Sequence, residues 1–167
     1  DTHGRIHGLQ IIRPDKKNGR DKDFWPAGLA KKGHFHIVGG LSSAAGAVIL
    51  LAEGYATAAS LHMATGLPVV VAFDAGNLGP VAAAIHGKYK LARLLICADD
   101  DYLTDGNPRV THASNAALAV AGAWVAPVFA VDRDGKKITD FNDLHASEGL
   151  GAVRAQIEAK LAALGWQ

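Results

Sequence analysis

Two short apolar runs in this chain end in carboxylates. Leu94-Leu95-Ile96-Cys97-Ala98 leads into Asp99-Asp100-Asp101, and Val48-Ile49-Leu50-Leu51-Ala52 leads into Glu53-Gly54. Short apolar runs bounded by turn signals read as buried strands, and ligands of open parallel sheets bind in the crevice beyond the carboxyl ends of the strands. Acids at two such ends are expected to face one pocket. Three adjacent anions repel one another in a low-dielectric site, and a bound cation relieves that repulsion. Asp99 and Asp101, as alternate members of an extended turn, point to one side, and two carboxylates plus water suit Mg²⁺. Glu53, followed by a glycine and a helix, is placed to act as a general acid or base.

Three further groups border this picture. Asp74 and Asn77 follow the apolar stretch Pro68–Phe73, a third strand end opening on the same crevice. The late cluster Thr139-Asp140-Phe141-Asn142-Asp143 offers additional carboxylates and an amide, although by itself it is ordinary loop chemistry. His34 and His36 share one face of a short strand, but without a third ligand at fitting spacing they read as structural rather than as a zinc site. Trp25, Trp124 and Trp166 read as core or surface anchors.

The elements needed to position these residues alternate along the chain. Strands are expected at Val48–Ala52, Pro68–Phe73, Leu91–Ala98 and near Trp124–Val128, and helices at Tyr55–Thr65, Gly79–His86, His112–Ala121 and from Ser147 to about Leu164. Alternating strands and helices imply a parallel sheet with right-handed crossovers. Gly66, with Pro68 just beyond it, fits a helix end, and Ser114 or Asn115 offers a cap for the helix that follows. Residues before about 40 read differently: Arg5–Arg13, Phe24-Trp25 and His34–Val38 look like short strands separated by turns, a small antiparallel unit. The expected division is therefore an N-terminal β subdomain over 1–40 and an α/β domain over 41–167.

Composition sets the remaining bounds. A chain of 167 residues, 49% hydrophobic and with 19 glycines, suits one compact globular unit with close helix-on-sheet packing. The one cysteine, Cys97, lies inside an apolar run, so it reads as a small core residue in a reducing compartment, which points to the cytoplasm. The longest apolar stretch, Ala116–Val131, is interrupted by Gly122 and Pro127 and is shorter than the ~20 residues a membrane helix needs. The chain opens on Asp1 rather than Met, and the expectation is a domain of a longer protein. The formal net charge of +1 hides an uneven distribution: residues 1–36 carry eight Lys or Arg against four Asp. Arg13, Lys16, Lys17, Arg20 and Lys22 concentrate that charge, and a basic stretch of this kind contacts phosphates through charge alone.

Taken together, the Glu-Gly at one strand end and the Asp-x-Asp at a later one resemble the signature of the Toprim domain. That metal-binding fold is shared by bacterial-type primases, topoisomerases and some nucleases. The stretches LAEGYATAASLHMATGLPVVVAFDAGNL, LLICADDD, GNPRVTHASNAA and TDFNDLH are similar, in that order, to the Toprim region of plasmid- and phage-borne primases, including conjugation primases.

The resemblance implies a Rossmann-like, mainly parallel sheet flanked by helices. It assigns the general acid or base of nucleotidyl transfer or phosphodiester cleavage to Glu53, and Mg²⁺ or Mn²⁺ binding to Asp99 and Asp101, with Asp140 and Asp143 as outer candidates. Gly54, Asp74, Asn77, Asp100 and Asn142 would line the site. The implied activity is synthesis of short RNA primers on single-stranded DNA from nucleoside triphosphates, with zinc-binding and helicase domains supplied by a longer chain. The alternatives are a Toprim nuclease using the same acids and a non-catalytic nucleic-acid or nucleotide-binding module. A topoisomerase needs a nucleophilic tyrosine from another domain, and Tyr55, Tyr89 and Tyr102 lack that context. The chain departs from its resemblance at three positions. Thr57 stands where bacterial replicative primases carry an acid, and Arg109 and His112 stand where a Gly and a Lys are expected.

Overall fold

In a computed structural model, the chain is described at residues 1–17, 19–42, 45–133 and 135–166. The side chains of Lys16, Lys17 and Arg20 lie outside the described residues, so the phosphate-contact reading of those three has no structural counterpart.

A five-stranded sheet in the order β3-β5-β4-β6-β7 forms the centre. It comprises β3 (His36–Val38), β4 (Val48–Ala52), β5 (Val69–Val71), β6 (Arg93–Cys97) and β7 (Ala123–Val125). The last four run parallel, and β3 pairs antiparallel with β5. Helices α1 (Tyr55–Thr65), α2 (Leu78–Lys88) and α3 (Pro108–Ala119) connect the parallel strands, and α4 (Phe141–Ala163) closes the chain.

Both faces of the sheet are covered, which explains why its strands read as unbroken apolar runs rather than as alternating ones. Ile49, Leu51, Val70, Leu94 and Ile96 pack on one side with Leu78, Val81 and Ile85 of α2 and Ala113, Ala116 and Ala117 of α3. Leu50, Ala52, Val69, Val71, Leu95 and Cys97 pack on the other with Leu61 of α1 and Phe141, Leu144, Val153 and Ile157 of α4. Cys97 is fully buried, and burial pushes its thiol pKa up, as expected of a core residue.

Successive connections lead to opposite sides of β4. The chain passes from β4 through α1 to β5 on one side, then returns through α2 to β6 on the other. The gap between β4 and β6 is thus the point where strand order reverses, the place where doubly wound sheets bind ligands.

The N-terminal region contains the expected small antiparallel unit, with one strand placed differently. β1 (Leu9–Lys17) and β2 (Arg20–Trp25) form a two-stranded antiparallel hairpin, but β3 leaves it and becomes the edge of the main sheet, with Val38 opposite Val69. Two helix starts also fall earlier than their caps suggested. Pro108 takes the first position of α3 behind Asn107, leaving Ser114 and Asn115 inside the helix. Proline suits that position because its missing N–H would have no partner there. α4 starts behind Asp140, well before Ser147, and is interrupted at Gly149, whose φ of 84° only glycine adopts at little cost.

Candidate metal and catalytic site

Glu53 follows the last residue of β4, and Asp99 lies two residues beyond β6, in strands paired so that Ala52 is opposite Cys97. Adjacent parallel strands thus deliver both acids to the reversal point. What joins them is a side chain from a third element. Arg109, one residue inside α3, donates from Nη1 to both oxygens of Glu53 at 3.0 Å and to Asp99 Oδ2 at 2.7 Å. Its Nε lies 3.7 Å from Asp101 Oδ2. Three carboxylates therefore converge on one guanidinium.

Electrostatics follow from this crowding. The Asp99 carboxyl is pushed up to about 7, first by burial, then by the charges of Glu53 and Asp140, with Arg109 pulling the other way. Glu53 is raised as well, again first by burial, with Arg109 partly offsetting it. Burial works against the charge on Arg109, but Glu53 and Asp99 outweigh it and raise its pKa. One oxygen is left over. Among the described residues Asp99 Oδ1 is buried without a hydrogen-bond partner, which is uncommon for a buried polar atom.

Asp100 points elsewhere. Its carboxylate accepts from Arg133 Nη1 at 2.7 Å and from Asn107 Nδ2 at 2.6 Å, while Asn107 Oδ1 accepts the Asp101 backbone N–H at 3.0 Å. The Arg133 guanidinium stacks 3.9 Å from the Tyr102 ring centroid. This network holds the acid triplet against the start of α3, so alternate members do face one way and the middle one anchors the turn.

The late cluster divides likewise. Asp140 caps α4, its Oδ1 accepting the Asp143 backbone N–H at 2.8 Å, and Asp143 Oδ2 accepts in return from the backbone N–H groups of Thr139 and Asp140. This reciprocal arrangement is a capping box. Asp140 Oδ2 accepts a hydrogen bond of 2.8 Å from the buried Thr57 hydroxyl on α1. Asp140 thus stands near Glu53 and Asp99, whereas Asp143 is occupied with the helix start. Asn142 faces α1 and accepts from the Ser60 hydroxyl at 3.1 Å. Gly54 caps α1 in an extended conformation.

The third strand end turns out to be a joint. Asp74 caps the short helical turn Ala75–Asn77 and pairs with Lys31 at 2.7 Å. Asn77 is buried, accepts from the Gly33 backbone N–H at 2.8 Å, and donates to the carbonyls of His34 at 3.0 Å and Ala72 at 2.7 Å. These two residues clamp the segment around 31–34 to the sheet. Beside that segment and the hairpin lies a groove of about 660 Å³, lined by N-terminal residues such as Arg5 and Ile6 together with Phe24, His34, Tyr55 and Phe73. Of the basic residues expected to touch phosphate, Arg13 pairs with Asp23 and Lys22 is exposed.

Among the described residues, no group of three His, Cys, Asp or Glu stands ready-made to hold a metal ion. Arg109 lies among the acids, in contact with Glu53, Asp99 and Asp101. The residues still fit a divalent ion: the donors are hard carboxylate oxygens, and among the described residues the buried Asp99 Oδ1 has no hydrogen-bond partner. The sequence reading passed over Arg109, Asn107, Arg133 and the Thr57 hydroxyl as working parts. The available signal was Gly106-Asn107-Pro108, a helix start that places a cation immediately inside α3.

The chain belongs to the Toprim domain family, which matches residues 48–151 and so covers every parallel strand and the acid-bearing ends of β4 and β6. It is similar to two proteins of Escherichia coli called DNA primase TraC, 41% and 40% identical over 135 residues, 78% of this chain. The chain spans only 12% and 9% of the length of those relatives. No solved structure matches it. No helix among the described residues is long and apolar enough to cross a membrane.

Proposed function

We propose that this chain is the catalytic core of a DNA primase, joining ribonucleotides into short primers on a single-stranded DNA template. The observation that carries this reading is the convergence of Glu53, Asp99 and Asp101 at the ends of β4 and β6. Membership of the Toprim family and similarity to proteins called DNA primase support it.

Asp99 and Asp101 would hold Mg²⁺ or Mn²⁺, with Asp140 nearby and Asp143 keeping Asp140 in place. When bound, such an ion neutralises charge on the phosphate oxygens and makes a 3′-hydroxyl easier to deprotonate. Glu53 takes or returns the proton at its carboxylate. Burial shifts its pKa upward, the direction that favours proton transfer by a carboxyl. Phe73 fixes the end of β4 by donating its backbone N–H to the Glu53 carbonyl at 2.8 Å. The groove beside Tyr55 and Phe73 offers aromatic faces to unpaired bases, and the exposed Lys22 adds positive charge on the hairpin. Zinc-binding and helicase functions would come from other parts of a longer protein.

Primer synthesis with labelled nucleoside triphosphates, single-stranded DNA and Mg²⁺ or Mn²⁺ tests the proposal. Template-dependent short RNA is expected, falling by about 10²-fold or more in Glu53→Gln, the usual scale for a lost acid-base group, and disappearing in Asp99→Asn. Metal-dependent DNA cleavage in its place would convert the reading to a nuclease.

A further inference from the structure

We propose that Arg109 couples metal loading to nucleotide binding: its guanidinium holds the cation position until a triphosphate draws it away. The inference rests on the metal-site reading above and adds to it an occupant belonging to the chain.

Arg109 stands among Glu53, Asp99 and Asp101 at 3.0, 2.7 and 3.7 Å, where a divalent ion would have to sit to use the same oxygens. Two cations cannot share that space. A single positive charge leaves three carboxylates under-neutralised, and among the described residues Asp99 Oδ1 has no hydrogen-bond partner. The guanidinium is therefore an incomplete substitute for a divalent ion, held in place by charge-assisted hydrogen bonds, which are about twice as strong as neutral ones.

Its attachment is one-sided. All three hydrogen bonds leave from Nη1, and among the described residues Nη2 makes none. The side chain is also 36% exposed, so it has an open face toward solvent. A guanidinium presents a planar fork that matches phosphate oxygens two at a time, and α3 anchors it one residue from a helix start. Phosphates arriving at the crevice offer Arg109 a better-matched anion while the entering metal takes over the acids. By linkage, nucleotide then raises metal affinity, and metal raises nucleotide affinity by the same factor.

Titration of the chain with Mn²⁺, followed by the spectroscopic signal of the free ion, tests this with and without a non-hydrolysable nucleoside triphosphate. The unaltered chain is expected to bind Mn²⁺ weakly alone and roughly tenfold or more tightly with the analogue, within the usual range of coupling between sites. Arg109→Gln is expected to bind Mn²⁺ alone at least about tenfold more tightly than the unaltered chain, with most of the nucleotide enhancement gone. Arg109→Lys, which keeps the charge without the fork, should fall between them and guards against misfolding of the glutamine variant. Equal or weaker Mn²⁺ binding by both variants overturns the proposal. Asp99→Asn separates the two readings: if it abolishes Mn²⁺ binding while the Arg109 variants change nothing, the metal site stands and the coupling fails. If no chain binds Mn²⁺ with or without the analogue, both fail.

Discussion

Thr57 and Asp140 lie 83 positions apart in the chain and share a hydrogen bond of 2.8 Å, the threonine hydroxyl donating to Oδ2 of the aspartate. Thr57 is buried, so the bond ties the first turn of α1, just behind Glu53, to the start of α4. A neutral donor here steadies a carboxylate beside the acid cluster without adding another negative charge. Thr57→Val keeps the shape and removes the donor. A loss of about 1–3 kcal/mol is expected, the scale of a lost hydrogen bond to a charged, part-buried acceptor, and Thr57→Ser should recover most of it in denaturant unfolding.

Asp143 gives a contrasting case. Its carboxylate closes the capping box, so Asp143→Ala should cost about 1 kcal/mol of stability, typical of a lost cap. Mn²⁺ affinity should change much less than in Asp99→Asn. Paired unfolding and metal titrations check both halves, and a large loss of metal affinity in Asp143→Ala would make that residue a ligand.

Stability of the metal-free chain should depend on pH through Asp99. Its carboxyl is pushed up to about 7 in the folded state, against about 3.9 for an unperturbed aspartate. Between those values the unfolded chain has lost this proton while the folded chain retains it, so the folded state binds more protons and stability falls as pH rises. The contribution is fully present below about pH 4 and gone above about pH 7. Thermal unfolding across this window should show a shallower decline in Asp99→Asn than in the unaltered chain. An identical slope in the two chains would contradict the assignment.

The Asn77 side chain makes three hydrogen bonds, two of which reach the segment before β3. Asn77→Ala is expected to destabilise the chain by about 2–3 kcal/mol, since several buried groups lose their partners together. Limited proteolysis should then cut first in the region of residues 26–35, a site protected in the unaltered chain.

The alternation of strands and helices was legible because both sheet faces are buried, which writes each strand as an apolar run. Val48–Ala52 and Tyr55–Thr65 match β4 and α1 residue for residue. The meeting of Glu53 with Asp99 was legible for the same reason, since strand ends in a parallel sheet share one edge. What escaped was side-chain commitment. Asn77 reads as a polar residue at a strand end whether it faces a ligand or, as here, a neighbouring backbone. The capping box of Asp140 and Asp143 looks like paired metal ligands until the helix behind it is placed. Arg109 was legible only as a departure, because its partners lie 56 and 10 positions away and only the fold brings them together. β3 was legible as a strand but not as a partner of β5, since three residues say little about which sheet they join.

The pairing of β3 with β5 also sets where this chain can be divided. A cut at residue 40, where the sequence alone draws its boundary, would strip the border strand from Val69-Val70-Val71, whose side chains have no exposed surface. The shortened chain would present three valines on an open rim, and bare rims recruit strands from other molecules. Such a fragment is expected to precipitate or pair with its own copies, whereas one beginning before His36 should stay dispersed.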